Sequence, residues 1–352
     1  MERRSMTRID GSARIWLGAG LAGLMLASAT WLSSPAPLGA QGHRGGQPLE
    51  KFTLLMPEAH GHTFRTVYVG IEKGWFAEEG LAIDFKVVPG GAVNLIPQLA
   101  QGAGDVAWAG GYTVIQARAK GVPIVGLFSA STETLWGLIT LRASNIRAPK
   151  DLKARTLGVV AYSSATHFMA QGLVRAGGLG EGEVNLKPIG MGGPASLNAR
   201  QIDGYVWFKT QGLALETRGT PVHVLDLDQF IPVPQDLMLT TEKIARARQG
   251  ALRAYLRVLK KTSDFEFDPN NWAEGDTYQA KYAPETVLDK AFLSALRKYN
   301  HERTERDRAR RWRWGSTDPD RLEKAQDFLH EIKVIERKTP VKAMYTNDFL
   351  PE

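Results

Sequence analysis

Seven histidines, no cysteine and a few clusters of hydroxyl, aromatic and acidic side chains bound the chemistry open to this 352-residue chain. The segment Pro57-Glu58-Ala59-His60-Gly61-His62-Thr63 brings a carboxylate and two imidazoles close together. Two histidines at i and i+2, without cysteine or an evident third ligand, do not make a zinc site. Glu58, His60 and Thr63 are instead candidates for hydrogen bonding, and His60 also for a pH-sensitive role. Ser163-Ser164-Ala165-Thr166 stands at the predicted start of a helix, where free N–H groups and the helix dipole favour an anionic or hydrogen-bonding group; it reads equally as a plain N-cap. Trp108, Tyr112, Tyr162 and Trp207 fall at predicted loop mouths and suit a planar ligand, a stacked pair adding about 1 kcal/mol beyond burial. Trp136 reads as core. A cationic group on a ligand suits Glu58 or the aromatic faces. Gly-x-Ser-x-Gly, HExxH and Walker motifs are absent, so no catalytic residue, metal or cofactor is assigned.

These residues need elements to hold them. From Lys51 the pattern alternates between strand and helix periodicity: Phe52–Met56, Ile83–Val88, Val106–Trp108, Ile124–Ala130 and Leu135–Leu141 read as strands, with helices over Thr66–Trp75, Val93–Ala100 and Tyr112–Lys120. A second series follows, with strands at Thr156–Val160, Val184–Ile189, Gly204–Phe208 and Val222–Leu227, and helices at His167–Ala176 and Ala195–Ile202. Glu242–His330 reads as helical. The fold class is α/β, two doubly wound lobes. Residues 51–140 plus 241–352 are expected to form the first lobe, with 141–240 inserted as the second. The chain crossings near Leu141–Ser144 and Pro232–Thr240 would be the hinge. Ligands of open α/β sheets bind beyond the strands' carboxyl ends, which adds Gly90, Gly91, Gly110, Gly111, Ser129, Ala165, Met191 and Gly192 to the candidate surface.

The N-terminus has the three-part layout of a secretory signal: Arg3, Arg4, Arg8 and Arg14, an uncharged run Ile15–Leu32, then Pro35, Pro37 and Leu38-Gly39-Ala40. Residues 1–40 are read as a signal cleaved after Ala40, or alternatively after Ala29, and 41–50 as a leader; an uncleaved anchor is the competing reading. Arg3-Arg4 alone does not separate the general from the twin-arginine route. With no cysteine there is neither a disulfide nor a lipidation site, which places the expected product free in a periplasm. The net charge is +7, and the arginine run between His301 and Arg313 reads as a solvated helix face, not a nucleic-acid surface.

Several phrases in order carry a resemblance. Gly70-Ile71-Glu72-Lys73-Gly74-Trp75-Phe76-Ala77-Glu78-Glu79-Gly80-Leu81, Val88-Pro89-Gly90-Gly91, Leu99 to Val106, Ala148-Pro149-Lys150-Asp151-Leu152-Lys153 and Ala199 to Gly204, where Gln201 replaces the usual glycine, resemble the nitrate/sulfonate/taurine/pyrimidine-precursor substrate-binding proteins of ABC transporters. The resemblance implies a type II periplasmic binding protein fold with a two-crossing hinge. It also implies a monomer that closes on a small nitrogen- or sulfur-containing solute and delivers it to a cognate permease. A ligand sensor for a membrane receptor would use the same clamp. The enzymes of related fold, fungal pyrimidine synthases and desulfinases, rely on cysteines that this chain lacks.

Overall fold

A computed structural model describes residues 48–56, 61–88, 92–180 and 182–352. Ile124–Ser129 and Asp236–Thr241 are buried at every position, as strands covered on both faces require. The strands are β1 (Glu50–Met56), β2 (Leu81–Val87), β3 (Val106–Gly110), β4 (Ile124–Ser129), β5 (Trp136–Leu141), β6 (Thr156–Val159), β7 (Asn185–Pro188), β8 (Gly204–Phe208), β9 (Val222–Asp226) and β10 (Asp236–Thr241). The helices are α1 (Arg65–Glu72), α2 (Trp75–Glu78), α3 (Ala92–Ala100), α4 (Gly111–Ala119), α5 (Ala165–Ala176), α6 (Gly193–Asn198), α7 (Lys209–Thr217), α8 (Glu242–Ala247), α9 (Gln249–Phe267), α10 (Trp272–Tyr282), α11 (Lys290–Ala309) and α12 (Pro319–Glu331).

The strands build two mixed sheets, ordered β2-β1-β3-β10-β4 and β7-β6-β8-β5-β9. In each, the strand that arrives from the other lobe runs antiparallel to its neighbours: β10 between β3 and β4, β5 between β8 and β9. This corrects the expected boundary. β5 belongs wholly to the second sheet, so the first crossing is 130–135 and not Leu141–Ser144. The second crossing is 227–235, and the rest of the expected Pro232–Thr240 crossing is strand β10. The apolar pattern of β5 suits either sheet, and in the second it packs closely at Gly137. A Cβ there would stand 2.7 Å from Val224 and 3.0 Å from Lys209.

The resembling phrases prove to be architectural. The expected helix Thr66–Trp75 is divided at Gly74, whose φ of 73° starts α2, and Gly80 at φ 82° turns the chain into β2; both need left-handed backbone, which glycine adopts without a Cβ penalty. Asp105 precedes β3 and accepts the Thr53 amide of β1 at 2.7 Å. Asp203 precedes β8 and accepts the Thr156 amide of β6 at 2.8 Å. The same lock is therefore built twice, once in each sheet. Gly102 (φ 80°) and Arg200 (φ 55°) each stand three residues before that aspartate, so the glycine's counterpart is Arg200 and not Gln201.

Helix α9 covers the first sheet, where Tyr255 stacks on Phe52 at 4.6 Å and on Phe76 at 5.3 Å. All three are fully buried, and each such side chain contributes roughly 2–3 kcal/mol. The later tail reaches both lobes. Helix α11 packs along α7 and α12 along α4, while Phe328 of α12 comes within 3.1 Å of a Cβ position at Gly172 on α5. No helix among the described residues is long and apolar enough to cross a membrane. The expected signal segment, residues 1–40, lies outside the described residues.

Candidate ligand-binding cleft

The carboxyl ends of β1, β3, β6 and β8 and the first residues of β5 and β10 meet at the two crossings, which defines the cleft. Glu58, His60, Gly90 and Gly91 lie outside the described residues. Thr63 is exposed in the turn that enters α1, next to His62. The His62 ring is packed edge-on against Phe292 of α11, 6.0 Å between centroids, and burial pushes its pKa down.

Two expected cleft residues are turned into the scaffold. Tyr112 is buried and its hydroxyl donates to the Pro232 carbonyl at 2.8 Å, so it anchors the second crossing. Ser129 is fully buried and donates to the Ser131 carbonyl at 3.0 Å, shaping the first. Gly110 and Gly111 serve close approach. A Cβ on Gly111 would lie 2.3 Å from the Gln235 carbonyl oxygen and 2.7 Å from Pro234, both on the second crossing. Gly111→Ala is therefore expected to destabilise by about 2 kcal/mol, as overpacking against unyielding backbone does; urea unfolding measures it, and an unchanged midpoint would contradict this contact.

In the second lobe, the Ser164 hydroxyl donates to the Ala161 carbonyl at 2.6 Å and lies 2.7 Å from the Thr166 hydroxyl. Thr166, buried, accepts the Val160 amide at 2.9 Å. The two hydroxyls thus hold the β6–α5 turn, while Ser163 is exposed and Ala165 half-buried. Tyr162 and Met191 are exposed on adjacent loops, the Tyr162 hydroxyl donating to the Leu186 carbonyl at 3.3 Å. Gly192 precedes α6. Trp207 is half-buried, with its ring edge toward Trp136 at 6.2 Å.

Trp136, expected in the core, packs against it from the edge. It is half-buried at the first position of β5, 4.4 Å from the Phe208 ring, and its side chain stands near enough to Asp236 to favour the charged carboxylate. Asp236 begins β10 opposite Gly110, with Met238 opposite Trp108. Strand alternation puts Trp108 and Asp236 on one face. One carboxylate oxygen of Asp236 is buried with no hydrogen-bond partner. Burial pushes its pKa up to about 7, against the opposing pull of Trp136, Arg303 and Arg321. Beside it is a cavity of about 10 Å³ lined by Ala130, Ser131, Glu133, Leu135, Asp236 and Arg303, room for about one water-sized probe.

The arginine run is not a plain solvated face. Arg306 grips both oxygens of Glu133 at 2.8 and 2.9 Å, and Arg310 bonds Thr132 and Glu133 at 2.8 and 3.0 Å. These bonds fasten the first crossing to α11, and the Arg306 contact holds the Glu133 carboxyl below the usual range. Arg303 faces the cavity. Arg65 on α1 is taken up by Glu266 at 2.5 Å and Asp276 at 2.6 Å.

Two α/β sheets, each receiving one strand from the other lobe, with a cleft between the crossings, define the type II periplasmic binding protein fold. The periplasmic aliphatic sulphonate binding protein SsuA from Escherichia coli shares it, with a TM-score of 0.65 at 15% identity over 86% of this chain and 94% of that one. The chain belongs to the NMT1/THI5-like family, whose model matches residues 62–271. Its relatives include the riboflavin-binding protein RibY of Chloroflexus aurantiacus, 21% identical over 90% of both chains. A formylaminopyrimidine-binding protein of Halalkalibacterium halodurans is 29% identical over 57% of this chain and 61% of that protein.

Proposed function

We propose that this protein is the exported, periplasmic binding component of an ABC importer, and that it closes on a planar nitrogen-containing solute and presents it to a permease. The observation that carries the reading is the aromatic cluster at the crossings. Trp136, Trp207 and Phe208 lie within 4.4–6.2 Å of one another between centroids, and Trp108 stands on the first sheet beside Asp236. Stacking on such rings favours flat ligands. The two relatives named for ring compounds, riboflavin and formylaminopyrimidine, fit that preference.

The cavity beside Asp236 is about 10 Å³, too small for a ring, so binding requires the lobes to separate about 130–135 and 227–235 and to close around the ligand with more space than this arrangement leaves. Ion pairs that join tail and second lobe, such as Arg218–Asp289 at 3.2 Å, are exposed and resist opening weakly. A ligand bound only by the folded state raises the unfolding midpoint. Riboflavin or an aminopyrimidine is expected to raise it by several degrees and to contract the solution scattering profile. Identical profiles with and without a saturating ligand would refute closure.

A further inference from the structure

Resting on the reading that this cleft binds a solute, we infer that Asp236 and Arg303 act as an acceptor–donor pair that selects a ring amide or imide edge, –NH–C(=O)–, over sulfonates and nitrate. Both residues line the same small cavity. They come from distant parts of the chain, Asp236 from the first position of β10 and Arg303 from the middle of α11.

Each has unspent capacity. The second carboxylate oxygen of Asp236 is buried and has no partner. Leaving it so costs on the order of a hydrogen bond or more, and a ligand N–H would recover that. Among the described residues, the Arg303 side chain makes no hydrogen bond or ion pair. Its guanidinium rests over the Tyr299 ring at 5.9 Å, one helical turn back on the same face. That contact restrains its direction and leaves its N–H groups for a carbonyl. Glu133 lines the cavity too, but Arg306 and Arg310 already occupy its oxygens, so it does not draw Arg303 away.

A lactam or imide ring presents an N–H and a C=O at adjacent positions, one for each group. A sulfonate or nitrate presents oxygens alone. Above about pH 7, where Asp236 is ionised, these set acceptor against acceptor beside a buried carboxylate oxygen, where unpaired polar groups are most costly. Sites that pair with a ligand N–H reject analogues lacking it far more strongly than apolar pockets reject a missing methylene.

The test measures affinities of the unaltered full-length protein for riboflavin, N3-methylriboflavin, uracil, octanesulfonate and nitrate, followed by Asp236→Asn and Arg303→Gln. The expected result is binding of riboflavin or uracil, with at least a tenfold loss on N3-methylation of the flavin or in Asp236→Asn, and a smaller loss in Arg303→Gln. The methylated probe needs no mutant, so the answer survives if a variant fails to fold. Equal affinity for the methylated and parent flavins, or imide binding unchanged in Asp236→Asn, would overturn the pairing. Tight binding of octanesulfonate or nitrate in place of the imides would overturn it while leaving the solute-binding reading intact. Failure of every probe to bind would count against both.

Discussion

Asp236→Asn is expected to be about 4 kcal/mol more stable than the wild-type protein at pH 8 and no more stable at pH 4. The folded protein holds the Asp236 proton up to about pH 7, against an ordinary value of 3.8. Between those values it binds more protons than the unfolded chain, so stability falls as pH rises through that window. By pH 8 the full cost of a buried carboxylate is present, and asparagine never incurs it. The groups facing Asp236 do not reverse the sign. Arg303 from α11, Arg321 from α12 and the Trp136 side chain pull the pKa down, Asp228 pushes it up, and desolvation is the largest cause. Glu133, which lines the same cavity, is held low by Arg306. Urea unfolding at pH 4, 6 and 8 measures the difference, and a constant gap across the three would show that ionisation is not its origin.

The second large effect is expected at Arg321. From α12 it donates to the Val233 carbonyl of the second crossing at 2.6 and 3.2 Å, to the Thr132 carbonyl of the first crossing, and to the Asp228 carboxylate. One guanidinium thereby fixes both chain crossings to the same helix. Asp228 in turn accepts the Thr134 amide at 2.8 Å, so the crossings are also tied to each other. Arg321→Ala leaves a partly buried carboxylate and two carbonyls without their donor, and a loss of about 3 kcal/mol follows. Because the bonds lie at the hinge, the variant is also expected to scatter as a more open particle without ligand and to bind more weakly. Arg321→Lys restores the charge but not the planar fork and is expected to fall between. A variant with wild-type stability and scattering would show that the crossings are held by packing alone.

The fold was largely legible because its signals are local. Strand and helix periods differ, glycines mark the turns at Gly74 and Gly80, and an aspartate before the third strand of each sheet recurs in the sequence as it does in the hydrogen bonding. Where the signal was local but its consequence was not, the reading failed. β5 looks like any apolar strand, and only its pairing with β8 and β9 places it in the second sheet. Tyr112 and Ser129 have the right types for a cleft, but their hydroxyls are turned to the crossings. The arginines after His301 follow a helical spacing compatible with solvent; only the packed structure gives them Glu133 and Thr132 as partners.

Taken by itself, the sequence determined two α/β series, a helical tail, family-like phrases in order, and a chain without cysteine. Those properties depend on residue type and short spacing. Tertiary structure alone decided which groups meet: Asp236 and Arg303 line one small cavity, and Trp136 stands near Asp236, because the two crossings and α11 converge there. The physical reason is that burial, an unpartnered oxygen and a raised pKa belong to an environment rather than to a residue. The environment of Asp236 is assembled from segments that are far apart along the chain.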